Sequence, residues 1–172
     1  MMGGMNAFRT ILLLCSLAAS APAVAQTSPM LRTDLAALSG CLRDSASSPS
    51  ACIGAVAVAC VRAASNDPRG AEAACARREE AAWRERLTLA LQVTGRALDA
   101  GQRSRLAALQ LAWESYVTQK CAFYGATQRE ALQAGRQAGC ELREVAGRAI
   151  ELAKVLPQAG GRRPQSPPQI IR

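Results

Sequence analysis

Hydrophobic positions recur at steps of three and four through much of this chain, which is the period of an amphipathic helix. The clearest example is the segment 110–121, which contains two of the few aromatic residues and ends on a cysteine. We predict that its apolar side faces a core and that Trp113 and Tyr116 are core residues rather than binding residues. The predicted buried side consists of Leu106, Leu109, Trp113, Tyr116, Val117 and Lys120.

Capping signals place two long helices around this segment. Asp67-Pro68 starts the first, because Asp caps a helix and Pro is tolerated at the first helical position, and the helix is expected to reach about residue 98. Asp99 and Gln102 form a capping-box pattern that starts the second helix, which is expected to end near Cys121. The short connection predicts an antiparallel helix hairpin.

The first of these helices has two distinct faces. The mixed-sign run at residues 77–86 predicts a solvated face with modest i,i+4 pairing. The expected packing face consists of Trp83, Leu87, Ala90, Leu91, Thr94 and Leu98.

Weaker signals divide the rest of the chain. A short helix is expected over residues 34–41, with Thr33 or Asp34 as its cap, followed by a Ser-rich loop at 43–50 and an Ala-rich helix at 51–64. Residues 122–139 are interrupted by glycines and are expected to be helical only around 128–134.

A last helix is expected from Cys140 to about Leu156, ended by Pro157. Its apolar positions form a seam suited to a helical bundle. We therefore predict an all-α protein, a small disulfide-stapled helical bundle with an antiparallel hairpin and a C-terminal helix. The seam consists of Leu142, Val145, Ala149, Leu152 and Leu156.

The two ends of the chain differ in composition from its middle. Residues 1–25 have a basic start, a short apolar run and a small-x-small site at Ala23-Val24-Ala25, the pattern of a cleaved secretory signal peptide, with an uncleaved anchor as the alternative. We expect a lead-in at 26–40, one helical domain at 41–157 and a disordered tail at 158–172. This predicts a periplasmic or secreted protein.

Six cysteines remain after removal of the signal peptide, and an even number in an exported chain predicts disulfides. Cys52 and Cys60 lie about 12 Å apart along one helix, too far for a disulfide, so each needs a partner elsewhere. Many pairings exist, and chain distance favours Cys41 with Cys52 and Cys60 with Cys75. A bond between Cys121 and Cys140 would clamp the last helix to the end of the segment 110–121.

Composition excludes several kinds of site. The chain has no His, and no CxxC pair supports zinc binding or redox catalysis, so we expect no metal, no cofactor and no catalytic residue. The carboxylates of Glu79, Glu80, Glu85, Glu114 and Glu141 are interpreted as surface groups paired with arginines.

The predicted mature chain has 20 Lys and Arg against 13 Asp and Glu, a net charge of +7. The arginines are interleaved with Glu and stacking aromatics are few, so specific nucleic-acid binding is not expected. Peripheral contact with an anionic polymer or membrane surface is the electrostatic alternative to simple solubility.

Several of these residues together resemble the lysozyme inhibitor LprI-like N-terminal domain family of small exported bacterial helical proteins. The resemblance spans about residues 41–156, although Val117 and Thr118 stand where the family often has Arg and Asp. It rests on Gln110, Trp113, Tyr116 and Cys121, then Cys140-Glu-Leu, Arg148 and Leu152, and upstream Cys52-Ile-Gly, Cys60, Cys75 and Trp83.

The resemblance implies a non-enzymatic exported domain that binds a lysozyme or another envelope protein, inhibiting a lysozyme by covering its cleft. Common lysozymes are strongly basic, so long-range electrostatic steering would oppose their encounter with this basic chain. The alternative is an envelope structural or stress module that contacts an anionic surface, and an enzyme is the least favoured of the three. The oligomeric state stays open.

Overall fold

The computed structural model describes residues 28–64 and 66–155. This part of the chain is entirely helical and lacks strands, which confirms the predicted all-α class. The predicted signal peptide and the C-terminal tail lie outside the described residues, as does Leu156. The helices are α1 (Pro29–Asp44), a short 3-10 helix (Pro49–Cys52), α2 (Ala55–Ala63), α3 (Pro68–Arg96), α4 (Ala100–Ala126) and α5 (Glu130–Val155).

Helix α1 is longer than the sequence predicted, and its cap is Ser28 rather than Thr33 or Asp34. The Ser28 hydroxyl accepts a hydrogen bond from the Leu31 backbone N–H, and Pro29 occupies the first helical position. Asp34 instead lies inside the helix, buried, and both of its carboxylate oxygens accept hydrogen bonds of 2.6 Å from Arg78 on α3. This paired contact docks α1 and raises the pKa of the Arg78 guanidinium above its ordinary value.

Helix α2 begins at Ala55, four residues later than predicted, and no side chain of its own caps it. Gly54 before it has a φ of 103°, a left-handed conformation that favours glycine. The cap comes from Glu79 on α3, whose carboxylate accepts hydrogen bonds from the backbone N–H groups of Gly54, Val56 and Ala57 at 2.7, 2.9 and 2.7 Å. One side chain on α3 therefore satisfies the open end of another helix.

The placement of Glu79 corrects the prediction that residues 77–86 form a solvated face. Glu79 is 0% exposed and also accepts a 3.0 Å hydrogen bond from the indole N–H of Trp83. Glu80 is buried too, and it pairs with Arg84 one turn later at 2.7 Å. Glu79 points inward because the start of α2 supplies backbone donors for its carboxylate. Glu80 is instead paired within α3, and Glu85 is exposed as predicted.

Helices α3 and α4 begin at the predicted residues. The Asp67 side chain caps α3 by accepting from the Gly70 N–H. Asp99 and Gln102 form a complete capping box at the start of α4. The connection between the two helices is as short as predicted, but α4 packs mainly against α5 rather than along α3 as the predicted hairpin requires.

Helix α4 does not end near Cys121 but continues to Ala126, and α5 begins at Glu130, so the segment predicted to be irregular is almost wholly helical. Glycine at position 125 allows α4 and α5 to approach each other closely near the turn that joins them. A Cβ at this position would lie 3.0 Å from the Cβ of Gln137 and 3.3 Å from the carbonyl oxygen of Gln133. Glycine serves here as a packing residue between helices rather than as a helix breaker.

The core lies mainly between α3 and α5, with α1 and α2 packed against α3. Four seam positions of the last helix, Leu142, Val145, Ala149 and Leu152, are buried as predicted. The predicted face of α3 is buried at Trp83, Leu87, Ala90 and Thr94 and half-buried at Leu91 and Leu98. No helix within the described ranges is long and apolar enough to span a bilayer.

Three disulfides each join consecutive elements, with the pairing expected from chain distance. Cys41–Cys52 ties α1 to the 3-10 helix, Cys60–Cys75 ties α2 to α3, and Cys121–Cys140 ties α4 to α5. Each such bond typically stabilises a fold by about 2–4 kcal/mol, by restricting the unfolded chain.

Replacing Glu79 by Gln should destabilise the protein by about 2–4 kcal/mol, because an amide presents its own donor to N–H groups that need an acceptor. The measurement is the free energy of unfolding from urea titration of the oxidised protein. Glu85→Gln on the same helix is the matched control, since Glu85 is exposed and should change stability by less than about 0.5 kcal/mol. Equal effects of the two substitutions would contradict the capping role of Glu79.

Candidate interaction surface on the fourth helix

Helix α4 has a buried inner face whose position differs from the one predicted. Gln110, Val117 and Cys121 are buried, and Trp113 and Leu106 are half-buried. These residues follow one another at steps of four, three, four and four, which is one stripe of a helix. The inner stripe packs against α5 and the main core.

The prediction that Tyr116 and Leu109 belong to the core was wrong. Tyr116 is 55% exposed and Leu109 is 62% exposed. Both residues are adjacent in sequence to residues of the inner stripe but lie on a different side of the helix. The predicted buried face therefore included positions that the core does not cover. Tyr116 is therefore available for contact with another molecule.

An aromatic cluster occupies the outer face of α4. Tyr116, Phe123 and Tyr124 are all more than half exposed, and the rings of Phe123 and Tyr124 meet edge to face with centroids 5.8 Å apart. We call this the α4 outer face. It forms an open groove of about 590 Å³ lined by Ala112, Ser115, Tyr116, Gln119, Lys120, Phe123 and Tyr124.

Lys120 links this outer face to α5. Its ammonium group lies 2.7 Å from a carboxylate oxygen of Glu144 and 5.4 Å from the centroid of the Tyr116 ring. The hydrogen bond to Glu144, opposed by desolvation, raises the pKa of Lys120 above its ordinary value. The ammonium group therefore stays charged at neutral pH and is held at one edge of the groove.

The Cys121–Cys140 disulfide lies directly behind the outer face. Cys121 is 0% exposed and Cys140 is 5% exposed, and both pack with Val117. The bond fixes the turn of α4 that carries Lys120, Phe123 and Tyr124. Aromatic side chains on a rigid helix lose little entropy when they bind, which is a property of good interaction surfaces.

The other residues named from the sequence have structural positions. Trp83 and Leu152 are buried in the core. Gln110 is buried and donates a 3.1 Å hydrogen bond to Glu114, whereas half-buried Arg148 pairs with Glu151 at 3.0 Å. None of the four lies on the α4 outer face.

Two of the carboxylates interpreted from the sequence as surface groups, those of Glu114 and Glu141, line a common pocket of about 260 Å³, together with Arg84 and Trp113. Each carboxylate accepts a hydrogen bond from a glutamine four residues before it, Glu114 from Gln110 at 3.1 Å and Glu141 from Gln137 at 2.9 Å. Among the residues that the structure describes, neither carboxylate forms an ion pair with an arginine, contrary to the interpretation from the sequence. Within the described ranges, no three potential metal ligands stand together.

Sequence reasoning missed Phe123 and Tyr124 because α4 was expected to end near Cys121. A signal was present, since aromatic residues make up only 3% of the chain and three of them fall within residues 116–124. Helical spacing continued past Cys121 places all three on neighbouring positions of one surface.

Comparison with known protein families gives one match. Residues 60–152, more than half of the chain, match the family described as lysozyme inhibitor LprI. The matched region starts at Cys60 rather than Cys41, and it includes nearly all of α3 to α5 and the whole α4 outer face. No curated protein and no solved structure matches the chain.

Neighbouring positions of α4 provide a test of the two faces. Val117→Ala should cost about 2 kcal/mol of unfolding free energy because it removes buried methyl groups, whereas Tyr116→Ala should cost less than about 1 kcal/mol. Chemical denaturation of both oxidised variants measures the difference. A larger loss of unfolding free energy from Tyr116→Ala than from Val117→Ala would contradict the exposed position of Tyr116.

Proposed function

Because the chain belongs to the LprI lysozyme inhibitor family, we propose that it is an exported, non-enzymatic binding protein that inhibits a lysozyme. The three disulfides and the family both point to an extracytoplasmic protein. The proposed route of export is the signal peptide expected at residues 1–25.

The observation that carries the proposal is the α4 outer face, which lies inside the family-matched region. An exposed group of large apolar side chains on a soluble protein commonly marks an interaction site. Tyrosine is among the residues that dominate binding energy at protein interfaces, and phenylalanine is enriched there. Here Tyr116, Phe123 and Tyr124 combine aromatic area with the charged group of Lys120.

The exposed aromatic side chains of this surface favour inhibition by obstruction. An enzyme that cleaves a polysaccharide binds its substrate in a concave cleft. Aromatic side chains that project from α4 would enter such a cleft and exclude the polysaccharide. Lys120 adds less charge to this contact than a free lysine would, because its ammonium group is already paired with Glu144 at 2.7 Å.

Charge limits how the complex forms. The chain has a formal net charge of +8 before processing, so it repels a basic lysozyme at long range. Binding must then rest on short-range contacts, which suits a surface made mainly of aromatic rings. The carboxylates of Glu114 and Glu141, which form no ion pair with the described part of the chain, add local negative charge on the adjoining part of α4 and α5.

We expect micromolar oxidised protein to inhibit a lysozyme in a cell-wall lysis assay, and Phe123→Ser with Tyr124→Ser to raise the half-inhibiting concentration at least roughly tenfold. The matched control is Leu111→Ser, because Leu111 is 68% exposed on the same helix but lies outside the groove. No inhibition at micromolar excess would contradict the proposal and leave the envelope module as the remaining hypothesis. An equal loss from Leu111→Ser would contradict the assignment to the α4 outer face.

The association rate constant with a basic lysozyme should rise severalfold between about 50 mM and about 200 mM salt, because salt screens the repulsion between two positive proteins. Surface plasmon resonance with immobilised lysozyme measures it directly. A rate that falls with added salt would show that opposite charges steer the encounter, against the proposed aromatic contact.

A further inference from the structure

A second groove, also of about 590 Å³, lies between α2, the start of α3 and the first half of α5. It does not share a residue with the α4 outer face. Its volume falls in the range of small-molecule sites, about 300–1,000 Å³, and its lining is mainly apolar. The apolar floor is formed by Ile53, Ala57, Val61, Ala76, Leu132 and Leu142.

Three arginines surround this floor: Arg62 on α2 and Arg136 and Arg143 on α5. None of them forms an ion pair with the residues that the structure describes. Glu72 is the acidic residue in the lining, so positive charge predominates. Guanidinium groups at the rim of an apolar floor complement a ligand with an anionic head and a hydrocarbon body.

A glycine on α5 keeps the groove open. Gly139 lines it in the middle of a helix, where glycine is less stable than alanine by about 0.5–1 kcal/mol. A Cβ at this position would meet only the Arg143 guanidinium, at an ordinary 3.5 Å, so close helix packing does not require glycine here. The missing side chain instead leaves space above the apolar floor.

We propose that this groove binds a single-chain anionic amphiphile, an alkyl carboxylate whose chain lies on the apolar floor and whose carboxylate pairs with Arg136 and Arg143. The charge of the rim selects the carboxylate, and the apolar floor supplies affinity through burial of the chain. The volume suits one hydrocarbon chain rather than a folded partner. This site is separate from the proposed lysozyme contact and does not depend on it.

Isothermal titration of the oxidised protein with decanoate below its micelle concentration tests the proposal, with 1-decanol as the uncharged probe. Decanoate should bind at one site, at least roughly tenfold more tightly than 1-decanol, and Arg136→Gln with Arg143→Gln should remove that preference. The control for charge is Arg105→Gln, an exposed position on α4 outside the groove.

The shape of the groove has its own test. Gly139→Leu should fill it and abolish decanoate binding, whereas Gly147→Leu, at an exposed position of α5 with no neighbouring atom within 4 Å, should leave binding unchanged. Circular dichroism establishes that both variants stay helical. Equal binding of decanoate and 1-decanol, equal binding by the two leucine variants, or binding only to anionic vesicles would overturn the proposal.

Discussion

The carboxylate of Glu79 is the contact on which the first half of the structure depends. It lies 0% exposed where α2 and α3 meet, and it accepts three backbone N–H groups and the Trp83 indole. A charge removed from water is tolerated only when its hydrogen bonds are replaced, and four donors replace them here. In return, α2 gains the cap that its own residues do not supply, and Trp83 is held in one orientation within the core. The buried carboxylate of Asp34 is satisfied in a similar way, by two hydrogen bonds from Arg78, and this contact docks α1 on α3.

The second half of the structure depends on how α4 divides its surface. The inner stripe is anchored through Cys121 to Cys140, and Gly125 allows the two helices to approach closely. This anchoring leaves the aromatic rings of the α4 outer face exposed, in contact with one another and with Lys120 rather than with the core. The core that would bury them is formed mainly by α3 and α5, so the outer face of α4 is exposed for reasons of architecture. The proposed contact with a lysozyme rests on that exposure.

Charge is distributed unevenly over this basic protein. Several acidic residues are used inside the fold or in ion pairs with neighbouring helices, as in the contacts of Asp34, Glu79 and Glu144. Arg62, Arg136 and Arg143, which line the proposed amphiphile groove between α2, α3 and α5, have no ion-pair partners among the described residues. The net charge therefore says little about partners by itself. What matters is which charges the fold has already paired and which face solvent beside apolar surface.

The sequence by itself determined the helical class, the starts of α3 and α4 and the seam of α5, because capping and helical spacing are local properties. Chain distance favoured the disulfide pairing that the structure shows but left other pairings open. The resemblance read from Gln110, Trp113 and the cysteines also identified the family that the comparison shows. Tertiary structure alone decided that Glu79 is buried, because its donors come from a helix more than 20 residues away. It also decided that Tyr116 faces outward, because helical spacing defines a stripe to within about one residue, and only the position of α5 selects which side is covered.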